Sequence, residues 1–192
     1  MITFHTIGDS HASTIVWGFT VDGFTIVCHT DYARTCAWFG ITKPSVESFG
    51  VKKEDWVCFC FGEVDCRNNI GEYLDDYRQL IDKIVENYFY AMSQYEAARV
   101  FVFNVPPTVR QSTIPGVVTP AFNGTDDQRL EFTRYMNECF RRKCEEYHFV
   151  FFDVYDKYAD SEGYFNLVYR DDCFNIANPV YLIEFLNKQL NV

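Results

Sequence analysis

Two short runs of this sequence hold side chains that can do chemistry, and the first is Gly8-Asp9-Ser10-His11. It comes directly after the apolar run 2–7, and the residues that follow it can open a helix. A serine hydroxyl at a helix N-terminus meets exposed amides and the positive end of the helix dipole. That setting suits a nucleophile whose product is an oxyanion. Asp and Ser are also good N-cap residues, so the tetrapeptide alone is more typical of a simple helix start.

The second run joins an apolar, strand-like stretch to three ionisable side chains within five residues, Glu63, Asp65 and Arg67. On a bent loop, the Arg67 guanidinium is able to pair with either carboxylate. The alternative is a solvated loop whose ion pairs contribute little stability. Gly62 opens this loop, and loops that directly follow strands are where ligands bind in α/β proteins.

Apolar periodicity places both runs in an alternation of strands and helices. The predicted strands are 2–7, 24–28, 56–61, 99–105 and 149–154, and the predicted helices are 10–17, 71–98, 126–147 and 179–190. Short, fully apolar strands separated by helices indicate an α/β fold with a parallel sheet covered on both faces. The loops after the strands then form the expected site at one edge of the sheet.

Chain length and net charge limit the number of domains and the classes of binding partner. The 192 residues predict one domain, 1–192. Acidic residues outnumber Lys and Arg by 27 to 17, a formal charge of −10, which argues against nucleic acid and an anionic membrane surface as partners. No Lys or Arg precedes Arg34, so no secretory signal is visible and a cytoplasmic location is expected.

The eight cysteines include no C-x-x-C pair, and the four histidines are scattered along the chain. Reduced, mostly buried thiols are therefore expected, and neither a metal site nor a cofactor is. Cys58 and Cys60 alternate with Phe59 and Phe61, which places both thiols on one face of a strand.

Together the two runs resemble the SGNH (GDSL-type) hydrolase superfamily, in which a Gly-Asp-Ser block is followed by a Gly-x-x-Asp block, as at Gly62 to Asp65. More narrowly, 61–67 (FGEVDCR) is similar to the FGEIDCR-type run of one subgroup of SGNH-like proteins. That subgroup often adds an N-terminal GDSH and a later Pro-Pro-Thr, and 8–11 and 106–108 fit both. The resemblance implies a three-layer α/β/α sandwich with a flavodoxin-like, five-stranded parallel sheet. The activities it implies are ester hydrolysis and acyl transfer, including acetyl groups on glycans.

Carried over by position, the resemblance makes Ser10 the nucleophile and its own amide one oxyanion donor. Asp172 matches the aspartate of the last block, Asp-x-x-His, and Asn175 stands in place of the catalytic histidine. Tyr32 stands at the glycine position of the second block. The other candidates for substrate binding or the oxyanion hole come from the two runs: Asp9, Gly62, Glu63, Asp65 and Arg67.

The missing histidine decides how the function is interpreted. An asparagine side chain cannot accept a serine proton at neutral pH, and losing the base of a triad removes most of the nucleophilic rate. Three explanations stay open: another base, such as His29 at the expected rim of the site, a protein that binds without turnover, or an engineered change that traps a complex.

The sequence thus predicts an SGNH-like serine esterase or O-acyltransferase, impaired by the absent histidine. Its expected substrate is a small-molecule or glycan acyl ester. The alternative is an inactive ligand- or carbohydrate-binding protein of the same fold.

Overall fold

The computed structural model describes residues 2–14, 22–115, 122–171 and 173–190. A five-stranded sheet runs through these residues, with every neighbouring pair of strands parallel. Its strands are β1 (Ile2–Gly8), β2 (Phe24–Thr30), β3 (Trp56–Cys60), β4 (Arg99–Phe103) and β5 (Val150–Phe152). They lie in the order β2-β1-β3-β4-β5.

Six α-helices flank the sheet in the described part of the chain. They are α1 (Ser10–Thr14), α2 (Cys36–Thr42), α3 (Tyr77–Met92), α4 (Asp126–Tyr147), α5 (Tyr155–Tyr158) and α6 (Val180–Leu190). The longest, α4, begins with a capping box in which the Thr125 hydroxyl accepts from the Gln128 amide at 3.2 Å. The Gln128 side chain in turn accepts from the Thr125 amide at 2.8 Å, so both exposed donors are satisfied.

Alternation along the strands divides the core between the two faces of the sheet. Val57 and Phe59 of β3 pack with α2, α3 and α4, whereas Cys58 and Cys60 pack with α1, α5 and α6. Each face buries a set of aromatic side chains, so the sheet is covered on both sides. The result is a three-layer α/β/α sandwich, and the predicted fold class is confirmed.

The sequence pattern misplaced some elements. It predicted no helix between β2 and β3, where the short helix α2 forms under a Thr35 N-cap that accepts from the Trp38 amide at 2.9 Å. It also predicted one helix over 71–98, whereas α3 spans only Tyr77–Met92. The preceding residues instead form a π-helical turn (Asp65–Asn69) and a 3₁₀ turn. Gly71 packs there so tightly that a Cβ would lie 2.7 Å from the Asn123 backbone.

The strand order reverses direction at β1. The chain passes from β1 to β2 on one side and then returns to β3 on the other side, so the ends of β1 and β3 form the switch point, where the ligand-binding crevice of an open α/β sheet is expected. Ser10 follows β1 and Gly62 follows β3. Both chemistry-bearing runs of the sequence therefore reach the same point of the fold.

Candidate active site

The turn from β1 into α1 is fixed by the neighbouring strand. The Asp9 amide donates to the Cys60 carbonyl at 3.1 Å, and the Asp31 amide donates to the Gly8 carbonyl at 2.9 Å. A Cβ on Gly8 would lie 2.1 Å from the Cys60 carbonyl oxygen, so only glycine fits. Ser10 is the first residue of α1 and is partly buried. The backbone thus holds Ser10 at the carboxyl end of β1.

His11 is buried beside Ser10, with 1% of its surface exposed. Its Nδ1 lies 3.0 Å from Asp9 Oδ1, and its Nε2 lies 3.2 Å from the Phe174 carbonyl oxygen. A carboxylate and a carbonyl only accept, so both contacts are satisfied as hydrogen bonds when each ring nitrogen carries a proton, which is the imidazolium form. Burial works against this charge, but the Asp9 carboxylate, with Glu63 and the Phe174 carbonyl, raises the pKa of His11 above 6.5.

The loop after β3 supplies an ion pair that points toward the same turn. Gly62 has φ +119°, and a Cβ there would lie 2.6 Å from Val105 Cγ2, so the loop leaves β3 through a position that requires glycine. The Arg67 Nε donates to Glu63 Oε1 at 2.6 Å, and both side chains are nearly buried. Glu63 Oε2 is buried and accepts no hydrogen bond from the part of the chain that the structure describes.

Asp65 is fully buried and binds the start of α2 rather than the crevice. Its carboxylate accepts from the Cys36 amide at 2.7 Å and from the Ala37 amide at 3.3 Å. Burial raises the pKa of Asp65 to about 7, the two amides lower it, and the nearby Asp9 carboxylate raises it. In this position Asp65 anchors α2 to the β3 loop, while its predicted role in the oxyanion hole stays a prediction.

The last loop closes over His11. An antiparallel bridge between Arg170 and Ile176 holds its base. Inside the loop, Asp171 Oδ1 accepts from the amides of Cys173 (2.8 Å) and Asn175 (3.0 Å), and Asp171 Oδ2 accepts from the Asn175 side chain at 2.9 Å. Among the described residues, the buried Asn175 Oδ1 atom has no hydrogen-bond partner. Asp172 lies outside the described residues.

The Phe174 ring joins this loop to the β3 loop. The Arg67 guanidinium lies 4.7 Å from the centre of that ring, which is a cation–π distance. His11 lies on the same phenylalanine, with 6.5 Å between the ring centres. The Gly-Asp-Ser block, the loop of the Gly-x-x-Asp block and the last block are therefore in contact around the buried His11 ring.

His29 lies on the other face of the sheet from α1. Phe4 packs with Ala12 of α1, so the next side chain, His5, points to the opposite face. The His29 ring stacks on His5 at 5.3 Å, and its Nε2 lies 3.1 Å from His5 Nδ1. Partial burial, and then His5, lower the pKa of His29. The role of His29 as an alternative base stays a prediction.

Tyr32 is 72% exposed, in the turn before α2. The left-handed residue of that turn is its neighbour Ala33, with φ 61°. The conformation that a glycine would favour therefore lies one residue later than the position assigned from the sequence. The proposed contribution of Tyr32 to the site stays a prediction.

A cavity of about 620 Å³ lies elsewhere, between α4 and the residues that follow β5. Its lining includes Arg134, Arg141, Asp153 and Asp156, and none of the residues selected from the sequence. Arg141 is paired with Asp153 at 2.6 Å, so part of its charge is already neutralised. The crevice at Ser10, where the convergent polar groups are, is the better candidate for chemistry.

Comparison with known proteins places the fold. No family model matches the chain, and no curated protein matches its sequence. Among solved structures, it is similar to a GDSL-like lipase from Bacteroides thetaiotaomicron VPI-5482, with a TM-score of 0.62 at 17% identity over 98% of this chain and 86% of that chain. It is also similar to Est24, a carbohydrate acetylesterase from Sinorhizobium meliloti, with a TM-score of 0.61 at 13% identity over 100% and 99%.

A third similar structure is phospholipase A1 from Streptomyces albidoflavus NA297, with a TM-score of 0.60 at 10% identity over 97% of this chain and 98% of that chain. The chain has the fold of the GDSL-type hydrolases. The expected SGNH resemblance is thus supported at the level of fold.

Within this GDSL-type fold, two features of the site could not be predicted from the sequence. It did not show that both nitrogens of His11 are bound, because Phe174 is far away in the chain. It also did not show that Asn175 pairs with Asp171, since the family spacing pointed to Asp172. In the described ranges no helix is long and apolar enough to span a bilayer, and no group of three His, Cys, Asp or Glu side chains is arranged to hold a metal ion.

Proposed function

We propose that this chain is an SGNH-type serine esterase or O-acyltransferase that uses Ser10 as its nucleophile and works slowly. The observation that carries the proposal is the position of Ser10, at the first residue of α1 and at the point where the strand order reverses. Proteins of similar fold include a GDSL-like lipase and a carbohydrate acetylesterase, which supports an acyl ester as the substrate, including one on a glycan.

In the proposed reaction, Ser10 Oγ attacks the acyl carbonyl carbon, the ester C–O bond breaks, and the serine proton leaves with the alcohol, so that Ser10 carries the acyl group. Water then attacks this acyl-serine, which releases the acid and restores the Ser10 hydroxyl. The Ser10 amide, at the start of a helix, donates to the oxyanion. Asp9, Gly62 and the Glu63–Arg67 pair border the substrate, and acyl transfer follows when a second alcohol replaces water.

The slow rate follows from the proton that Ser10 must lose. Both nitrogens of the His11 ring already donate, so this ring cannot accept that proton. Asn175, in the position of the family histidine, is an amide held by Asp171. Among the described residues, none of the histidine rings is hydrogen-bonded to the Ser10 hydroxyl. In the proposal, Asp172 would orient a base at position 175 if one were present.

The same observations favour a second candidate, a protein that binds an acyl ester or carbohydrate without turning it over. The bound state of Asn175 is what favours it, because an amide that pairs with Asp171 can position a ligand but cannot deprotonate Ser10. The two candidates differ in whether Ser10 reacts.

Labelling with a fluorophosphonate probe, followed by intact mass and peptide mapping, tests Ser10 directly. The probe forms an Oγ–P bond and loses fluoride, so it reports an activated serine. The set is the chain as given, Ser10→Ala, Asn175→His, and Ser13→Ala as the matched control on the same helix. Ser13 donates to the Ser10 carbonyl at 2.7 Å and is not assigned a role in the chemistry.

Labelling of the chain at Ser10 supports a slow enzyme with another base. Labelling only in Asn175→His supports the second candidate, a protein that binds its ligand without turnover because the site is complete except for the general base. Absence of labelling in every variant that folds would overturn the serine mechanism. The Ser13→Ala variant is expected to match its parent in each case.

A further inference from the structure

The site contains a buried histidine that the proposed reaction does not use. His11 is almost completely buried, and its two hydrogen bonds need a proton on each ring nitrogen because both partners only accept. One partner, Asp9, belongs to the turn that carries Ser10. The other, the Phe174 carbonyl, belongs to the last loop, so the ring bridges two separate parts of the site.

We infer that His11 is a proton-dependent latch, a positioning residue that fastens the tip of the last loop (173–175) to the Ser10 turn while its ring is doubly protonated. When the ring loses one proton, it keeps a single N–H. It can then donate either to Asp9 or to Phe174, but not to both. The remaining proton stays on Nδ1, because the Asp9 carboxylate is a stronger acceptor than a carbonyl, so the Phe174 bond is the one lost and the last loop is released at its tip.

The loop is built as a unit that can move at its tip. Its base is fixed by the Arg170–Ile176 bridge, and Ile176 is buried in the core. Asp171 satisfies the amides of Cys173 and Asn175 inside the loop. Among the described contacts, the tip meets the Ser10 turn through the His11–Phe174 hydrogen bond and meets the β3 loop through the Phe174 ring on Arg67.

The charges around His11 decide when the latch opens. Asp9 faces the ring from its own turn, and Glu63 faces it from the β3 loop, where it is paired with Arg67. Cys173 of the last loop faces Glu63 and Arg67, and burial raises the pKa of this thiol, so it stays neutral near pH 7. The two carboxylates favour the imidazolium, so the latch is closed below the pH at which His11 titrates and opens as the pH rises through that value.

Asp65 also titrates near neutral pH, but it can be observed separately. Its pKa is raised to about 7 by burial, and its oxygens accept from the amides of Cys36 and Ala37 at the start of α2. A change caused by Asp65 is therefore expected at those two amides. A change caused by His11 is expected at the amides of Cys173 and Asn175.

The test is amide hydrogen exchange of the full chain across about pH 6 to 9, read as protection factors, which remove the intrinsic pH dependence of exchange. The pH at which the His11 ring titrates is followed by NMR, with the resonance assigned by its loss in His11→Gln. The matched control is His148→Asn. His148 is exposed at the left-handed end of α4, a conformation that asparagine tolerates.

Protection of the Cys173 and Asn175 amides is expected to fall by about tenfold or more as His11 deprotonates, the size expected when a hydrogen bond from a charged donor is lost. In His11→Gln, protection is expected to be low already at pH 6 and flat with pH, and in His148→Asn it should follow the parent. Should His11→Gln fail to fold, the titration of the parent decides alone. Protection that stays constant through the titration of His11 would overturn the latch.

The consequence for catalysis rests on the proposed function, because it concerns Ser10. If Ser10 labels with the fluorophosphonate probe, the rate is expected to change where His11 titrates, and this step should vanish in His11→Gln. If Ser10 never labels, the proposed function fails while the exchange data still decide the latch. Labelling with no step at the titration of His11 would count against its positioning role.

Discussion

Two histidine clusters lie on opposite faces of the sheet. One is His11 with Asp9 and Phe174, the other is His29 with His5, and the pKa values of His11 and His29 are shifted in opposite directions. His11 lies between two groups that only accept, and its pKa is raised. His29 is stacked on a second imidazole, His5, and its pKa is lowered. Burial opposes the charge in both cases. At His11 the Asp9 carboxylate outweighs burial and raises the pKa, whereas at His29 burial is the larger cause of the lowered pKa and His5 adds to it.

We therefore expect neither ring to act as a simple base for Ser10, for opposite reasons. His11 is next to the serine, but its two nitrogens have no lone pair to offer. His29 has a low pKa that suits a proton acceptor, but its ring lies with His5 on the face of the sheet opposite to α1. A base needs both a free lone pair and the correct position.

The largest effect is expected from removing the carboxylate beside the charged ring. Asp9→Ala leaves a buried imidazolium without its counter-ion, so we expect a loss of about 3–5 kcal/mol in the free energy of unfolding at pH 6. The loss should shrink as the pH rises, because His11 can then release its proton. Urea unfolding at several pH values measures both effects.

Asp55→Ala is the matched change in the other cluster, where Asp55 accepts from His5 Nε2 at 3.1 Å and from the Lys52 amide at 2.9 Å. Its expected cost is about 1–3 kcal/mol, that of leaving hydrogen-bond donors unpaired. Equal losses for the two variants at pH 6 would contradict the charged state assigned to His11.

The pH dependence of stability is expected to separate the two histidines by sign. The raised pKa of His11 gives a stabilisation that is complete below about pH 6.5 and is lost as the pH rises through the raised value. The lowered pKa of His29 gives the reverse, since stability is lost as the pH falls from about 6.5 through the lowered value.

His11→Gln should therefore remove a decline in stability above about pH 6.5, whereas His29→Gln should remove a decline below it. Each effect is at most about 1.4 kcal/mol per pH unit, and that of the half-exposed His29 is smaller because of solvent screening. Unfolding free energies measured across this range are the check. The same sign of change in both variants would show that one assignment is wrong.

The sequence predicted the strands and the meeting of the Ser10 and Gly62 runs because both depend on local patterns. Strand alternation fixed which side of β3 carries Cys58 and Cys60, and parallel strands bring the residues after them to one edge. The His11–Phe174 and Asp171–Asn175 bonds could not be predicted. They depend on how the last loop folds back, which no spacing in the chain records. The helix α2 was missed because its seven residues are too few to show helical periodicity.

The aromatic neighbours of the two clusters provide a smaller test. Phe174→Leu removes the ring that lies on Arg67 and His11, so we expect a loss of about 1 kcal/mol from the cation–π contact beyond the cost of lost area. The control is Phe49→Leu, which removes the ring packed edge-on against His29 at 5.4 Å. Because His29 is held neutral, the second variant should lack the cation–π part. Raising the salt concentration should leave the difference between them nearly unchanged, since the contacts are partly buried.

The smallest expected effect is that of His29 on the reactivity of Ser10. We expect His29→Ala to label with the fluorophosphonate probe at a rate within about twofold of its parent. The reason is that His29, stacked on His5, lies on the opposite face of the sheet from Ser10. The comparison is made in the chain as given and again in Asn175→His, where a base at position 175 would give a higher rate against which a loss is easily seen. A loss of about a hundredfold or more in either background would identify His29 as the base, because that is the usual contribution of general base catalysis. In that case His29 would act by proton transfer, and His11 alone of the two histidines would act by positioning.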